Sequence, residues 1–265
     1  MPLRRFALLL EYDGTRYSGS QFQKGHATIQ SVLEAAIEQV TGVASRVAFA
    51  GRTDAGVHAL GQVACFNSAT RLSPVVLQRA LNARLPADVV VRGAVHAAGD
   101  FDPRRQALRR TYRYLVDNRP VRRALGRDLA WHVPQPLDVD AMLRAAQTIL
   151  GMHDFAPFAS ALEDATASTV RELRRFEVSR DEGQVACEVT ANAFLPHQVR
   201  RMVGALVQVG RGKMTPDEYT ALLNAPPSTA GPAAPAKGLY LVQVEYPTPL
   251  FGDAGIGETG SLLIC

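Results

Sequence analysis

The segment Gly51-Arg52-Thr53-Asp54-Ala55-Gly56-Val57-His58 holds the densest cluster of chemically useful side chains in the sequence. A cation, a hydroxyl and a carboxylate stand side by side between glycines, which let a backbone turn tightly and bring a bound group close. The spacing predicts a loop that presents Arg52 and Asp54 outward. Ordinary turn chemistry, with Asp54 bonding its own backbone, accounts for the same residues. A metal pair of Asp54 and His58 would need a helix, which Gly56 opposes, and His26, His96, His132, His153 and His197 fall at no ligand spacing. The chain has no GxSxG elbow and no cysteine in an electropositive loop, so a serine or cysteine nucleophile lacks support. Neither a phosphate-binding GxxxxGK nor a dinucleotide-binding GxGxxG is present. What remains is a carboxylate acting as nucleophile or base, with arginines and tyrosines as helpers.

The elements that must position this loop can be read from periodicity. Phe6 to Tyr12 reads as a buried strand closed by Asp13-Gly14. Thr28 caps a helix over 29–40, with Ile29, Val32, Leu33, Ala36 and Ile37 on one face and Gly42 ending it. Strands are expected over 45–50, 63–67 and 89–95, and Ser73-Pro74 opens a second helix to about Ala83. The second half repeats the order: a strand over 111–116, a helix over 138–150, strands over 170–179 and 185–191 about the Asp181-Glu182-Gly183 turn, a helix over 195–209, a short helix over 216–223, and a last strand over 238–246. Two βαββαβ halves imply an α+β protein of two ferredoxin-like halves, with antiparallel sheets joined around a central cleft. The expected organisation is an N-terminal domain over 1–105 carrying the aspartate loop, a C-terminal domain over 106–247 and a flexible tail over 248–265. The Pro/Ala-rich segment 226–237 is expected to be mobile and irregular.

Composition narrows the functional classes. The chain has 265 residues, 47% of them hydrophobic, enough for one large core or two modest ones. No apolar run is long enough to span a bilayer, and Glu11 and Asp13 interrupt the apolar start too early for a secretory leader. Cys65, Cys187 and Cys265 are odd in number, widely spaced and outside any CxxC, which favours a reducing cytoplasm over a disulfide framework or zinc site. The net charge is +4, and only Lys24, Lys213 and Lys237 among the 29 basic residues are lysine. A GC-rich genome explains an arginine excess as well as an anionic partner does. Position is more telling: Arg104, Arg105, Arg109, Arg110, Arg113, Arg119, Arg122, Arg123 and Arg127 crowd one stretch with Tyr112 and Tyr114 among them. Cations for phosphate and rings for unstacked bases suit an RNA-facing surface; a solvated strand-and-loop face is the alternative.

Six blocks carry a resemblance. GRTDAGVHALGQV over 51–63 resembles the signature of the tRNA pseudouridine synthase A family. EYDGTRYSG near the start, RRTYRY over 109–114, HDFAPF over 153–158, NAFLPHQVRRMVG over 192–204 and AKGLYLVQVEYP over 236–247 resemble that family's other blocks, in its order. Together they span nearly the whole chain. One departure is Ser20, where the family usually carries tryptophan.

The resemblance implies a cofactor-free and metal-free cytoplasmic enzyme, a homodimer, that isomerises uridine to pseudouridine at positions 38 to 40 of the tRNA anticodon arm. It implies that Asp54 is catalytic, that Arg52 helps flip the target nucleotide and that Tyr112 stacks on the base. It further implies that Arg200 pairs with the aspartate and that Leu239 lines the base pocket. The chemistry suits these types. A stacked nucleotide must leave its helix at a cost of roughly a few kcal/mol. A guanidinium favours the ionised form of a neighbouring carboxylate, and a ring can hold a detached base by stacking while it rotates. Two rival classes remain at this point: a non-catalytic RNA-binding protein built from the two halves, and a metal-dependent hydrolase using Asp54 and His58.

Overall fold

A computed structural model describes residues 2–160 and 166–252. Its elements follow the order β1 Arg4–Tyr12, α1 Ile29–Thr41, β2 Ala48–Phe49, β3 His58–Ser68, α2 Pro74–Asn82, β4 Val89–Ala97, then β5 Arg109–Asp117, β6 Trp131–His132, α3 Val139–Thr148, β7 Gly151–Asp154, β8 Val170–Asp181, β9 Gln184–Ala191, α4 Gln198–Gly210, α5 Pro216–Ala221 and β10 Leu239–Glu245. The protein is α+β with mostly antiparallel pairing, as the element order predicts; β5 and β6 form a short parallel pair. The chain divides into two compact units, Met1–Leu108 with Leu241–Cys265, and Arg109–Tyr240.

In the first unit the strand order is β4-β1-β3-β10, with β2 beside β3. Phe6 to Leu10 of β1 are all buried because β3 and β4 flank the strand and apolar groups fill both of its faces. Phe6 stacks on Phe66 of β3 at 5.6 Å between ring centres. α1 buries Ile29, Leu33, Ala36 and Ile37 along one stripe. Its start is a capping box: the Thr28 hydroxyl accepts from Ser31 N–H, and the Ser31 hydroxyl accepts from Thr28 N–H. α2 packs on β4 and begins, as expected, with Ser73 capping and Pro74 in the first turn. Two bounds differ from expectation. β3 starts at His58, directly after the aspartate loop, and β2 shrinks to two residues that pair only with Cys65 and Ala64.

In the second unit the order is β5-β9-β8-β7. β8 and β9 join through Glu182-Gly183, both at positive φ (43° and 82°), a turn whose twist matches that of the strands it connects. α3 packs on β8, α4 and α5, and Phe155, Phe158, Phe176 and Tyr219 are fully buried among them. α4 begins at Gln198, three residues later than the apolar pattern suggests, because Pro196 and a left-handed His197 (φ 61°) precede it. β6 and β7, too short to carry a period, were not expected.

The segment 226–237 is irregular but anchored. Ser228 N–H donates to Ala156 O and Ala230 N–H to Pro157 O, and Ala230 and Ala234 are buried. Mobility is therefore the wrong expectation for this stretch. Of the tail expected over 248–265, residues 253–265 lie outside the described residues; Phe251 sits against Gly93 of β4. No helix among the described residues is long and apolar enough to cross a membrane.

Replacing Thr28 by alanine removes the acceptor for Ser31 N–H at the head of α1. The expected loss is about 1 kcal/mol of unfolding free energy, read as a lower urea midpoint at unchanged slope.

Candidate active site

The aspartate loop has no strand partner over Gly51 to Val57, so side chains and backbone of neighbouring turns satisfy its amides and carbonyls. The Gln62 amide serves Gly51 at both ends: its Oε1 accepts from Gly51 N–H at 3.3 Å and its Nε2 donates to Gly51 O at 2.8 Å. Thr53 is gripped three times. Its N–H donates to Ser20 Oγ at 2.9 Å, its carbonyl accepts from Ser20 N–H at 3.0 Å, and its hydroxyl shares a hydrogen bond with the Tyr12 hydroxyl at 2.9 Å. Asp54 then opens a tight turn closed by Val57 N–H donating to Asp54 O at 3.1 Å. Gly56 holds the φ of +76° that the third position of such a turn requires and that side chains resist. Asp54 is half-buried and Arg52 is exposed. Gripped before the aspartate and turned after it, the loop gives the carboxylate a defined place.

The network around Thr53 is buried. Tyr12 is 3% exposed, and burial pushes its hydroxyl up to about 12, against the opposing pull of its bonds with Thr53 and Gln62. The hydroxyl is neutral at pH 7 and acts here as a hydrogen-bonding group. His58, at the loop's far end, is 1% exposed, with Nδ1 3.1 Å from Gly14 N and 3.0 Å from Asp13 Oδ1. That nitrogen can accept from Gly14 or donate to Asp13, according to its protonation. Burial works against the Asp13 carboxylate, but the bonds from Thr15 and the proximity of His58 more than offset it and hold its pKa below the usual value. Through Nδ1, His58 fastens β3 to the Asp13-Gly14 turn.

Tyr112, Arg200 and Leu239 belong to the second unit. Tyr112 faces Val189 across the β5–β9 pair and is 8% exposed. Its ring meets Phe194 edge-on at 5.2 Å. Arg200, in the first turn of α4, is joined to Ala234 twice: its Nε donates to Ala234 O at 2.8 Å, and Ala234 N–H donates to Arg200 O at 2.9 Å. Arg201 donates to the carbonyls of Ser228 and Gly231. The two neighbouring arginines thus lash the irregular segment 228–234 along α4. The Tyr114 hydroxyl donates to Pro235 O at 2.7 Å; burial raises its pKa, and the positive charge of Arg200 works the other way. Leu239, buried, follows at the head of β10. The block 192–204 therefore sends Phe194 to Tyr112 and Arg200 to the Ala234 strap.

The arginine-rich stretch divides. Arg110 is buried and donates to Asn192 O, Arg113 pairs with Glu188 at 2.8 Å, and Arg119 pairs with Asp117 at 2.7 Å. These three hold the sheet and its exit together. Arg104, Arg105, Arg122 and Arg127 are exposed. Of the residues that fix the aspartate loop, Tyr12 and Gln62 went unnoticed in the sequence, and Ser20 stood out only as a departure. Their partners in the loop lie 11 to 41 residues away, and no local pattern marks such pairs.

A family model described as tRNA pseudouridine synthase matches residues 9–104 and 145–247, more than half of the chain. The tRNA pseudouridine synthase A of Myxococcus xanthus is 48% identical over 246 residues, covering 91% of this chain and 92% of that protein. That of Roseiflexus castenholzii is 44% identical over 247 residues, 92% of each chain. That of Azorhizobium caulinodans is 45% identical over 245 residues, 92% of this chain and 95% of the other.

The Tyr12 environment predicts an alkaline weakness. A hydroxyl whose pKa is raised by folding contributes stability in full below its unfolded value, near 10, and loses it as pH climbs towards about 12. Denaturant titrations across that window should show the wild type losing up to about 2 to 3 kcal/mol relative to Tyr12→Phe. A difference between the two proteins that stays constant with pH would contradict the assignment.

Proposed function

The chain belongs to the tRNA pseudouridine synthase family, and from that premise we propose that it converts uridine to pseudouridine at positions 38 to 40 of the tRNA anticodon arm, with Asp54 as the catalytic carboxylate. Membership makes it an isomerase. The observation that carries the aspartate is the loop itself. It is held through Gly51 and Thr53 and turned at Gly56, so a carboxylate is offered from a rigid, half-buried seat rather than from a floppy tip.

The reaction breaks the bond from the sugar C1′ to N1 of uracil and forms one from C1′ to C5; the proton that leaves C5 is balanced by one gained at N1. No electron is exchanged with a redox partner and no water is consumed, so the chemistry calls for positioning and charge, with no cofactor or metal. A nucleotide within a stem must first swing out, and the exposed Arg52 beside Asp54 is suited to hold phosphate or fill the gap. The aspartate must be ionised to act as nucleophile or base, and Arg200 is the guanidinium assigned to pair with it. The Tyr112 ring, braced edge-on by Phe194, is assigned to stack on the uracil during its rotation, and Leu239 to wall the base pocket. The enzyme is proposed to work as a homodimer in the cytoplasm.

Asp54→Asn keeps the size and hydrogen-bonding reach of the side chain and removes its charge. It should bind tRNA about as tightly as the wild type and form no detectable pseudouridine, while the wild type forms it with EDTA present. Measurable turnover by the variant would take Asp54 out of the mechanism. An inert wild type that still binds tRNA would favour an RNA-binding protein without catalysis.

A further inference from the structure

Position 20, where the chain departs from the family's tryptophan, holds a fully buried serine. Its segment lies between the head of α1 and the aspartate loop. Gly19 O accepts from Ile29 N–H at 3.2 Å and Ser20 O from Gln30 N–H at 3.0 Å, so two of the first amides of α1 are satisfied by this segment. On its other side Ser20 closes a two-bond ring with Thr53: Ser20 N–H to Thr53 O, and Thr53 N–H to Ser20 Oγ. The approach is tight. A Cβ on Gly19, whose φ is +91°, would come within 2.8 Å of Thr53 O and 3.3 Å of Ala55 N. The Ser20 hydroxyl therefore stands where a backbone carbonyl would stand in a sheet, and the amide it accepts belongs to the residue directly before Asp54.

We propose that Ser20 is a positioning residue for Asp54: its segment is seated on α1, its hydroxyl fixes the Arg52–Thr53 peptide while its N–H holds the carbonyl of the Thr53–Asp54 peptide, and together they set the direction from which the carboxylate meets the substrate. This inference rests on the assignment of Asp54 as the catalytic group. A buried N–H deprived of its acceptor does not stay in place. The Arg52–Thr53 peptide rotates towards another partner, and Asp54, one peptide further along, moves with it. A side chain that contributes only to folding would instead change how much enzyme is folded and leave the rate per folded molecule alone.

The test is single-turnover pseudouridine formation on a tRNA transcript, alongside tRNA affinity and hydrogen exchange at the Thr53 amide. Ser20→Ala should slow the chemical step about 10- to 100-fold, the scale of a catalytic group displaced by about an ångström, with tRNA affinity within about 2-fold of wild type. Exchange at Thr53 should quicken in the same variant. Ser20→Cys keeps the shape and offers a weaker acceptor, so it should fall between the two, and it remains readable if the alanine chain does not fold. A wild-type rate per folded molecule in either variant, or a defect confined to tRNA affinity, overturns the proposal. The two assignments fail separately. Full activity in Ser20→Ala beside an inert Asp54→Asn removes the clamp alone, whereas product from Asp54→Asn removes the assignment beneath it.

Discussion

A backbone segment that leaves the sheet and is still buried must find partners for its amides and carbonyls, and this constraint governs the aspartate loop. Between β2 and β3 the chain has no strand to bond with, yet Thr53 is only 6% exposed. Gln62 substitutes for a strand partner at Gly51, Ser20 does so at Thr53, and Tyr12 adds its hydroxyl from β1. Each bond is modest by itself, about 1 kcal/mol net. The cost of leaving any one unmade is larger, because the abandoned group is already out of water. That asymmetry turns a short, glycine-flanked loop into a rigid mount and makes the geometry around Asp54 a property of β1, β3 and the turn before α1 together.

The second unit solves a related problem with charge in place of amides. The segment 226–237, with proline at four of its twelve positions, offers more carbonyls than N–H groups. Arg200 and Arg201 reach those carbonyls from adjacent positions at the head of α4. A guanidinium has several donors in a fixed plane, which suits it to tie irregular backbone. The arrangement also orients the side chains that do the tying. Arg200 anchors through Nε, so its direction is fixed at the base of the guanidinium, and its charge lies near the buried Tyr114 hydroxyl.

The arginine-rich stretch shows how composition misleads when position is ignored. Residues 104 to 127 suggest one RNA-facing run. Arg110, Arg113 and Arg119 instead spend their charge on partners within the protein, Asn192 O, Glu188 and Asp117, the first two arginines largely buried and Arg119 partly exposed. Glu188 lies on β9, Asn192 just after it, and Asp117 at the end of β5, two residues before Arg119. Cross-strand neighbours such as Arg113 and Glu188 are 75 residues apart in the chain, so nothing beside the arginine in sequence announces that its charge is already matched.

Much was legible in the order of residues because it depends on neighbours. α1 could be bounded closely because Thr28 and Gly42 act on the amides and carbonyls of the adjoining turn. α2 starts after Ser73 for the same reason. The α+β class followed from the alternation of helical and strand periods, and the aspartate loop from glycines that sit within it. Where the sequence signal is non-local, reading failed or was silent. β6 and β7 exist only because β5 and β8 are there to pair with them, α4 starts late because of a left-handed His197, and the strap that should have been mobile is held by arginines whose target carbonyls lie 27 to 34 residues away. The sequence alone thus determined the local elements and the glycine-flanked turn that presents Asp54, since propensity, capping and turn geometry act over a few residues. Only the tertiary structure decided which hydroxyl, amide or guanidinium satisfies which buried backbone group, because those bonds join segments that meet only once the chain has folded.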